Sequence, residues 1–103
     1  MDLMFIGMAR FEIFIPHSGS LKAKRRVLRP VVDRVRNKLN VSISEVDHQN
    51  LWQRAALGVS CVSGSVDGCH KLIQEAEKAV SRAALDGAEI VDRTIEVIAL
   101  EDL

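Results

Sequence analysis

Apolar residues along this chain recur at two spacings, and the order in which those spacings follow one another limits the fold more than any other property of the sequence. From Leu3 to Ile15 the odd positions read Leu3, Phe5, Gly7, Ala9, Phe11, Ile13 and Ile15, while the even positions include Arg10 and Glu12. That is the period of two of a half-buried strand. Pro16 closes it, and His17-Ser18-Gly19-Ser20 supplies a turn with Ser20 placed to cap a helix. Leu21, Leu28, Val31, Val32, Val35 and Leu39 then recur at helical spacing. Pro30 removes the hydrogen bond to the Arg26 carbonyl, so a kink or a division into two helices is expected there, and Asn40 is expected to stop the element.

Val41-Ser42-Ile43-Ser44-Glu45-Val46 begins a second strand, and Arg54 to Ser63, with Leu57, Val59 and Cys61 alternating, makes a third. Residues His48 to Trp52 are too few for anything but a short connection between antiparallel neighbours, with room for a bulge. Val66, Cys69, Ile73, Ala76, Val80 and Ala84 mark a second helix, opened by Ser65 or Gly64 and closed by Gly87. Glu89 to Leu100 is the last strand.

Strand, helix, strand, strand, helix, strand is the split βαβ order. Right-handed crossovers put both helices on one face of a four-stranded antiparallel sheet, the ferredoxin-like βαββαβ sandwich of the α+β class. Residues 1–103 are expected to form a single domain, because a chain of this length supports one core. The other sheet face is left open and carries some of Met4, Ile6, Met8, Phe14, Ala56 and Val62. It is apolar enough to suggest a partner, such as a second copy in a homodimer.

Apolar residues make up 48% of the chain, which excludes intrinsic disorder. The N-terminus lacks the basic start and small-residue cleavage site of a secretory signal, and no segment reaches the ~18 apolar residues of a membrane span, so a cytoplasmic protein is expected. Cys61 and Cys69 have neither Cys-x-x-Cys spacing nor histidine company, and read as buried free thiols.

Net charge is zero, yet residues 20–39 hold Lys22, Lys24, Arg25, Arg26, Arg29, Arg34, Arg36 and Lys38 against Asp33 alone. That stretch carries +7 and the rest of the chain −7. At ~100° per residue, Lys22, Arg25, Arg26, Arg29 and Arg36 fall in one sector beside the apolar stripe. Solvated helix faces usually mix signs for i,i+4 support, and this one does not. Lys22, Lys24, Arg25 and Arg26 also crowd the first two turns, where the helix dipole disfavours cations. With the amides after Ser18-Gly19-Ser20, that arrangement suits a phosphate or other anion.

Glu45-Val46-Asp47-His48-Gln49-Asn50-Leu51-Trp52-Gln53-Arg54 gathers acids, a histidine, amides, the sole tryptophan and an arginine. Asp47 beside His48 could be a general base with its orienting acid, although adjacent strand residues point to opposite faces. Glu45 and Asp47 could share a face and hold a cation, but two carboxylates are a weak metal signal. A turn held by side-chain hydrogen bonds, with Trp52 packed under it, accounts for the same residues. No Walker-type loop, dinucleotide-binding glycine pattern or His-Glu-x-x-His occurs, so no catalytic residue, cofactor, metal or small-molecule substrate is indicated. The third strand has no aromatic residue and cannot supply the base-stacking platform of an RNA-recognition module.

Ser20-Leu21-Lys22-Ala23-Lys24-Arg25-Arg26, Asn40-Val41-Ser42-Ile43-Ser44-Glu45, and Asp47-His48-Gln49-Asn50-Leu51-Trp52-Gln53-Arg54-Ala55 with Leu57-Gly58 together resemble the YlxP-like family of bacterial domains of unknown function. Many members have glutamate at the position of Ala23 and aspartate at that of Asn50; the first departure makes this helix start more basic, and the second weakens carboxylate chemistry in the turn. The resemblance implies a small ferredoxin-like fold. Members are frequently encoded beside the translation initiation factor and ribosome-binding factor A, which implies work in ribosome maturation or translation.

Three readings follow. The first is a non-enzymatic RNA- or ribosome-associated factor whose Lys22, Lys24, Arg25, Arg26, Arg29 and Arg36 engage phosphates, with Glu45, Asp47, His48, Gln49, Trp52, Gln53 and Arg54 forming a turn of unassigned role. The second is a dimeric protein-interaction module using the open sheet face. The third is a small enzyme using Asp47 and His48.

Overall fold

The computed structural model describes residues 3–83 and 87–103. Its elements follow the periods of the sequence: β1 (Phe5–Phe14), α1 (Leu21–Lys38), β2 (Ser42–Asp47), β3 (Arg54–Ser63), α2 (Val66–Ala83) and β4 (Glu89–Ala99), then a 3₁₀ turn over Leu100–Asp102. The strands lie in the order β2-β3-β1-β4 with every pairing antiparallel, and both helices cover one face. This is the ferredoxin-like arrangement. Ala84, expected in the second helix, lies outside the described residues. No described helix is long and apolar enough to cross a membrane.

The core forms where the stripes of the helices meet the odd-numbered face of β1. Phe11, Ile13 and Ile15 meet Leu28, Val31 and Val35 of α1 and Cys69, Ile73, Ala76 and Val80 of α2, with Leu57, Val59 and Cys61 of β3 beneath. Each large side chain withdrawn from water in this way favours the fold by about 1.5–3 kcal/mol. Cys61 and Cys69 are buried free thiols, and burial pushes the Cys61 thiol up, reinforced by its neighbour Cys69.

Ser20 caps α1 as its type and position require, its Oγ accepting from the Ala23 N–H at 2.9 Å. Pro30 does not divide the helix, which runs unbroken from Leu21 to Lys38. The ring is exposed, while the buried Leu28, Val31 and Val35 anchor the helix on both sides of it. The missing hydrogen bond is outweighed by this packing. The cap at the far end is Leu39, one residue before the expected Asn40, its N–H donating to the Val35 carbonyl at 3.0 Å.

The feature that positions the candidate site is a bulge. Pairing between β2 and β3 slips between Glu45 and Asp47, so that Glu45 faces Leu57, Asp47 faces Ala56 and Val46 is the extra residue. Val46 lies over Gly58, where an added Cβ would come within 2.7 Å of Val46 Cγ1. Glycine is therefore required there by close approach. Because side chains alternate along a strand, one inserted residue sends Asp47 to the face opposite Glu45.

The open face is less apolar than the sequence suggests. Ile6 pairs with Val62 and Ile98 at one end, flanked by exposed Met4 and Met8. At the other end Arg10, Glu12, Asp47 and Arg54 stand on neighbouring strands, and Ala56, between Glu12 and Asp47, is fully buried.

Candidate functional site

α1 turns Lys24, Leu28, Val31 and Val35 inward, and the same rotation turns Lys22, Arg25, Arg26 and Arg29 outward. These four line an open groove of about 740 Å³ with Pro30 and Asp33. Among the described residues, none of the four has a carboxylate within ion-pair distance, and the first helical turn holds no acid. Arg25, Arg29 and Arg36 continue into a second groove of about 480 Å³ against Ser44 and Glu45 of β2. Arg36 is partly engaged, with Nη2 donating to the Ile43 carbonyl at 2.9 Å and Nη1 4.0 Å from Asp33 Oδ1. The ridge is continuous along one side of α1, and among its cations only Arg36 is paired with a carboxylate within the described residues.

Lys24 does not belong to the ridge. It is 2% exposed, and its Nζ donates to the carbonyls of His48 at 2.7 Å, Leu51 at 2.9 Å and Arg54 at 2.9 Å. An ammonium has three protons, and these three carbonyls claim them. Glu45 Oε2, 2.8 Å away, balances the charge without a hydrogen bond of its own. Lys24 is thus an internal post between α1 and the β2–β3 connection, with no proton left to offer a phosphate. A buried cation persists only with such partners.

That post shapes residues 48–54. Leu51 N–H donates to the His48 carbonyl at 3.0 Å, Ile15 N–H to the Gln53 carbonyl at 2.8 Å, and Gln53 Nε2 to the Pro16 carbonyl at 3.2 Å. His48 adopts φ 63°, the left-handed turn conformation. The connection is held by side-chain hydrogen bonds as expected, but Trp52 is not packed under it. Trp52 is 54% exposed, beside Leu51 at 46%, while the group bonded to the carbonyls of the turn is the Lys24 ammonium. Gln49 and Asn50 are exposed at its tip.

On the open face Glu12 is a hub. Its Oε1 accepts from Arg10 Nε at 2.8 Å, and its Oε2 meets His48 Nε2 at 3.1 Å and Arg54 Nη2 at 3.2 Å. Arg10 Nη2 reaches on to Asp47 Oδ2 at 3.0 Å, and Asp47 Oδ1 accepts the His48 backbone N–H at 2.7 Å. Arg10 and the His48 N–H hold the Asp47 carboxyl below its ordinary range. Burial pushes Glu12 up, but the bonds from Arg10 and His48 outweigh it and leave Glu12 low as well. The two carboxylates in turn raise the Arg10 guanidinium.

This geometry answers two expectations. Glu45 and Asp47 lie on opposite faces and cannot share a cation. His48 Nδ1 is 3.8 Å from Asp47 Oδ1, too long for the hydrogen bond of a base and its orienting acid. The other ring nitrogen, Nε2, is taken up by Glu12 Oε2 at 3.1 Å. Every member of the cluster is engaged by another member, the pattern of a structural ion network. Arg10 and Glu12 escaped the sequence reading; the signal was two charges two apart on an otherwise apolar strand, both at even positions and so on one face.

Comparison with known proteins places the chain. A family profile described as "Protein of unknown function (DUF503)" matches residues 6–95. The uncharacterised protein YlxP of Bacillus subtilis (strain 168) is 42% identical over 90 residues, covering 87% of this chain and 92% of that protein. Among solved structures, a dimeric ferredoxin-like protein of unknown function from Thermobifida fusca matches with a TM-score of 0.53 at 12% identity, covering 97% of this chain and 93% of that one. A C-terminal segment of the aIF2 alpha subunit from Pyrococcus abyssi matches with a TM-score of 0.54 at 15% identity over 89% of this chain, which spans about half (49%) of that one. At such identities the two structures attest the fold.

Proposed function

The chain belongs to the family of proteins of unknown function DUF503, and from its own surface we propose that it is a non-enzymatic RNA- or ribosome-associated factor that holds phosphates on α1. The observation that carries this reading is the row Lys22, Arg25, Arg26 and Arg29, exposed and with no carboxylate within ion-pair distance among the described residues, Asp33 being the one acid in their groove. Cations gathered on one face repel one another unless something anionic covers them. A phosphate backbone does so and releases its counterions on binding. Arg36 adds a partly engaged fifth cation, and Lys24 serves by supporting the helix. The fully engaged state of Glu12, Asp47 and His48 favours a structural role for the turn over catalysis.

The test is co-sedimentation with separated ribosomal subunits at low and physiological salt, comparing the natural chain with a Lys22→Ala, Arg25→Ala, Arg26→Ala, Arg29→Ala variant. Binding that selects one subunit and disappears in the variant is expected. Four neutralised phosphates give a log-log salt slope of about −2.8 on a single strand or about −3.6 on a duplex. Equal binding by the variant refutes the reading.

A second reading rests on the apolar end of the open face, where Met4, Met8 and Val62 are 37%, 36% and 57% exposed. A homodimer or another protein would cover them. Sedimentation equilibrium of the natural chain against Val62→Glu decides it, since a monomer in both cases removes the homodimer.

A further inference from the structure

We infer that Trp52 is a stacking platform for an unpaired RNA base, held on the helix that carries the phosphate-holding ridge, so that the domain takes single-stranded RNA. This rests on the ridge reading above and adds to it what the ridge lacks, a means of preferring one form of nucleic acid.

Trp52 is the only tryptophan of the chain, and half of it faces water at the tip of a short connection. Exposing so large an apolar surface is unfavourable unless a ligand covers it. The position is not a slack loop. Lys24 ties the carbonyls of His48, Leu51 and Arg54 to α1, and Gln53 is bonded to the β1–α1 turn through both its backbone and its side chain. Trp52 lies between two of the clamped carbonyls, those of Leu51 and Arg54. A base stacking on it therefore meets a backbone already ordered, at little further entropic cost.

The clamp also fixes where the platform stands. Lys24 lies in the first turns of α1, so the 51–54 segment is tied by one lysine side chain to the helix that carries the ridge on its outer side. Asn50, Gln53 and Arg54 border Trp52 around an open groove of about 460 Å³; Gln53 Nε2 and Arg54 Nη2 are held by Pro16 and Glu12, which leaves the exposed Asn50 amide for a base edge. Single-strand binders combine these two parts, a basic track and an aromatic face. A duplex offers the phosphates but hides its base faces, and an acidic peptide offers charge with nothing to stack.

The residue reports on itself, since the chain has one tryptophan and no tyrosine. The full chain is titrated with a mixed-sequence RNA of about 12 nucleotides, within the site sizes of single-strand binders, and with its duplex. Indole fluorescence and the mobility of end-labelled RNA are followed separately. Quenching by the single strand and not by the duplex is expected. Trp52→Ala should weaken single-strand binding about ten-fold, within the range of roughly five- to 150-fold for one stacked base, and leave the salt slope unchanged. Trp52→Phe should restore most of the loss. The urea midpoint of Trp52→Ala should match the natural chain, showing that the loss is not unfolding. Binding with the expected salt slope but no quenching and no Trp52→Ala effect overturns the stacking inference and leaves the ridge standing. No binding of either RNA overturns both, and equal quenching by polyglutamate overturns the assignment to RNA.

Discussion

Lys24→Met removes one charge from the interior while keeping most of the side-chain volume, and the structure sets what that should cost. Three carbonyls lose their donor, and Glu45 loses the cation 2.8 Å away. Breaking a buried ion pair from one side typically costs about 3–5 kcal/mol. Glu45 is 29% exposed and can turn part of its carboxylate to water, which places the expectation at the lower end, about 3 kcal/mol. For a domain near this size each kcal/mol moves the midpoint by roughly 4–8 °C, so Tm should fall by about 12–24 °C. Urea unfolding should show the same loss as a lower midpoint with an unchanged slope. Hydrogen exchange should speed most at Leu51, whose N–H bonds within the turn. In the salt-dependent binding assay the slope should not change, because Lys24 has no proton for a phosphate, whereas Arg25→Ala should reduce it by nearly one unit. A stability loss under about 1 kcal/mol would mean that the 48–54 connection is held by something else. A reduced salt slope would return Lys24 to the ridge.

Two further outcomes test the sheet. Gly58→Ala should cost about 1–3 kcal/mol by urea unfolding, because its methyl would press on Val46 Cγ1, and Val46→Ala in the same chain should recover much of the loss. Glu12 and Asp47 are both held below their ordinary values in the folded chain. Their contribution is therefore complete above the unfolded carboxylate values and is lost as pH falls through the folded ones. Tm of the natural chain should drop steeply below about pH 4, and Arg10→Gln, which removes the main partner of Asp47, should flatten that drop; parallel curves would refute the network.

The alternation of apolar residues was enough to place six elements and their order, because a period of two or of 3.6 is a relation among neighbours a few residues apart. Ser20 as a cap and the outward Lys22, Arg25, Arg26 and Arg29 were legible for the same reason. Lys24 was nearly so: it lies four residues before Leu28 and seven before Val31, on the apolar stripe, and that spacing already pointed inward despite the charge. What it would meet there was not legible. Its partners His48, Leu51 and Arg54 are 24 to 30 residues away and offer backbone carbonyls, which every residue possesses and no sequence distinguishes. The extra residue at Val46 decides that Asp47 joins Arg10 instead of Glu45, and a bulge exists only relative to a paired strand. Trp52 was expected beneath the turn because large aromatics are usually covered, and it is instead half-exposed, with the carbonyls of the turn bonded to Lys24. Local spacing thus determined which elements form and which face of α1 is basic; the pairing register and the single buried charge, both long-range, decided which side chains come together and which are left facing the solvent.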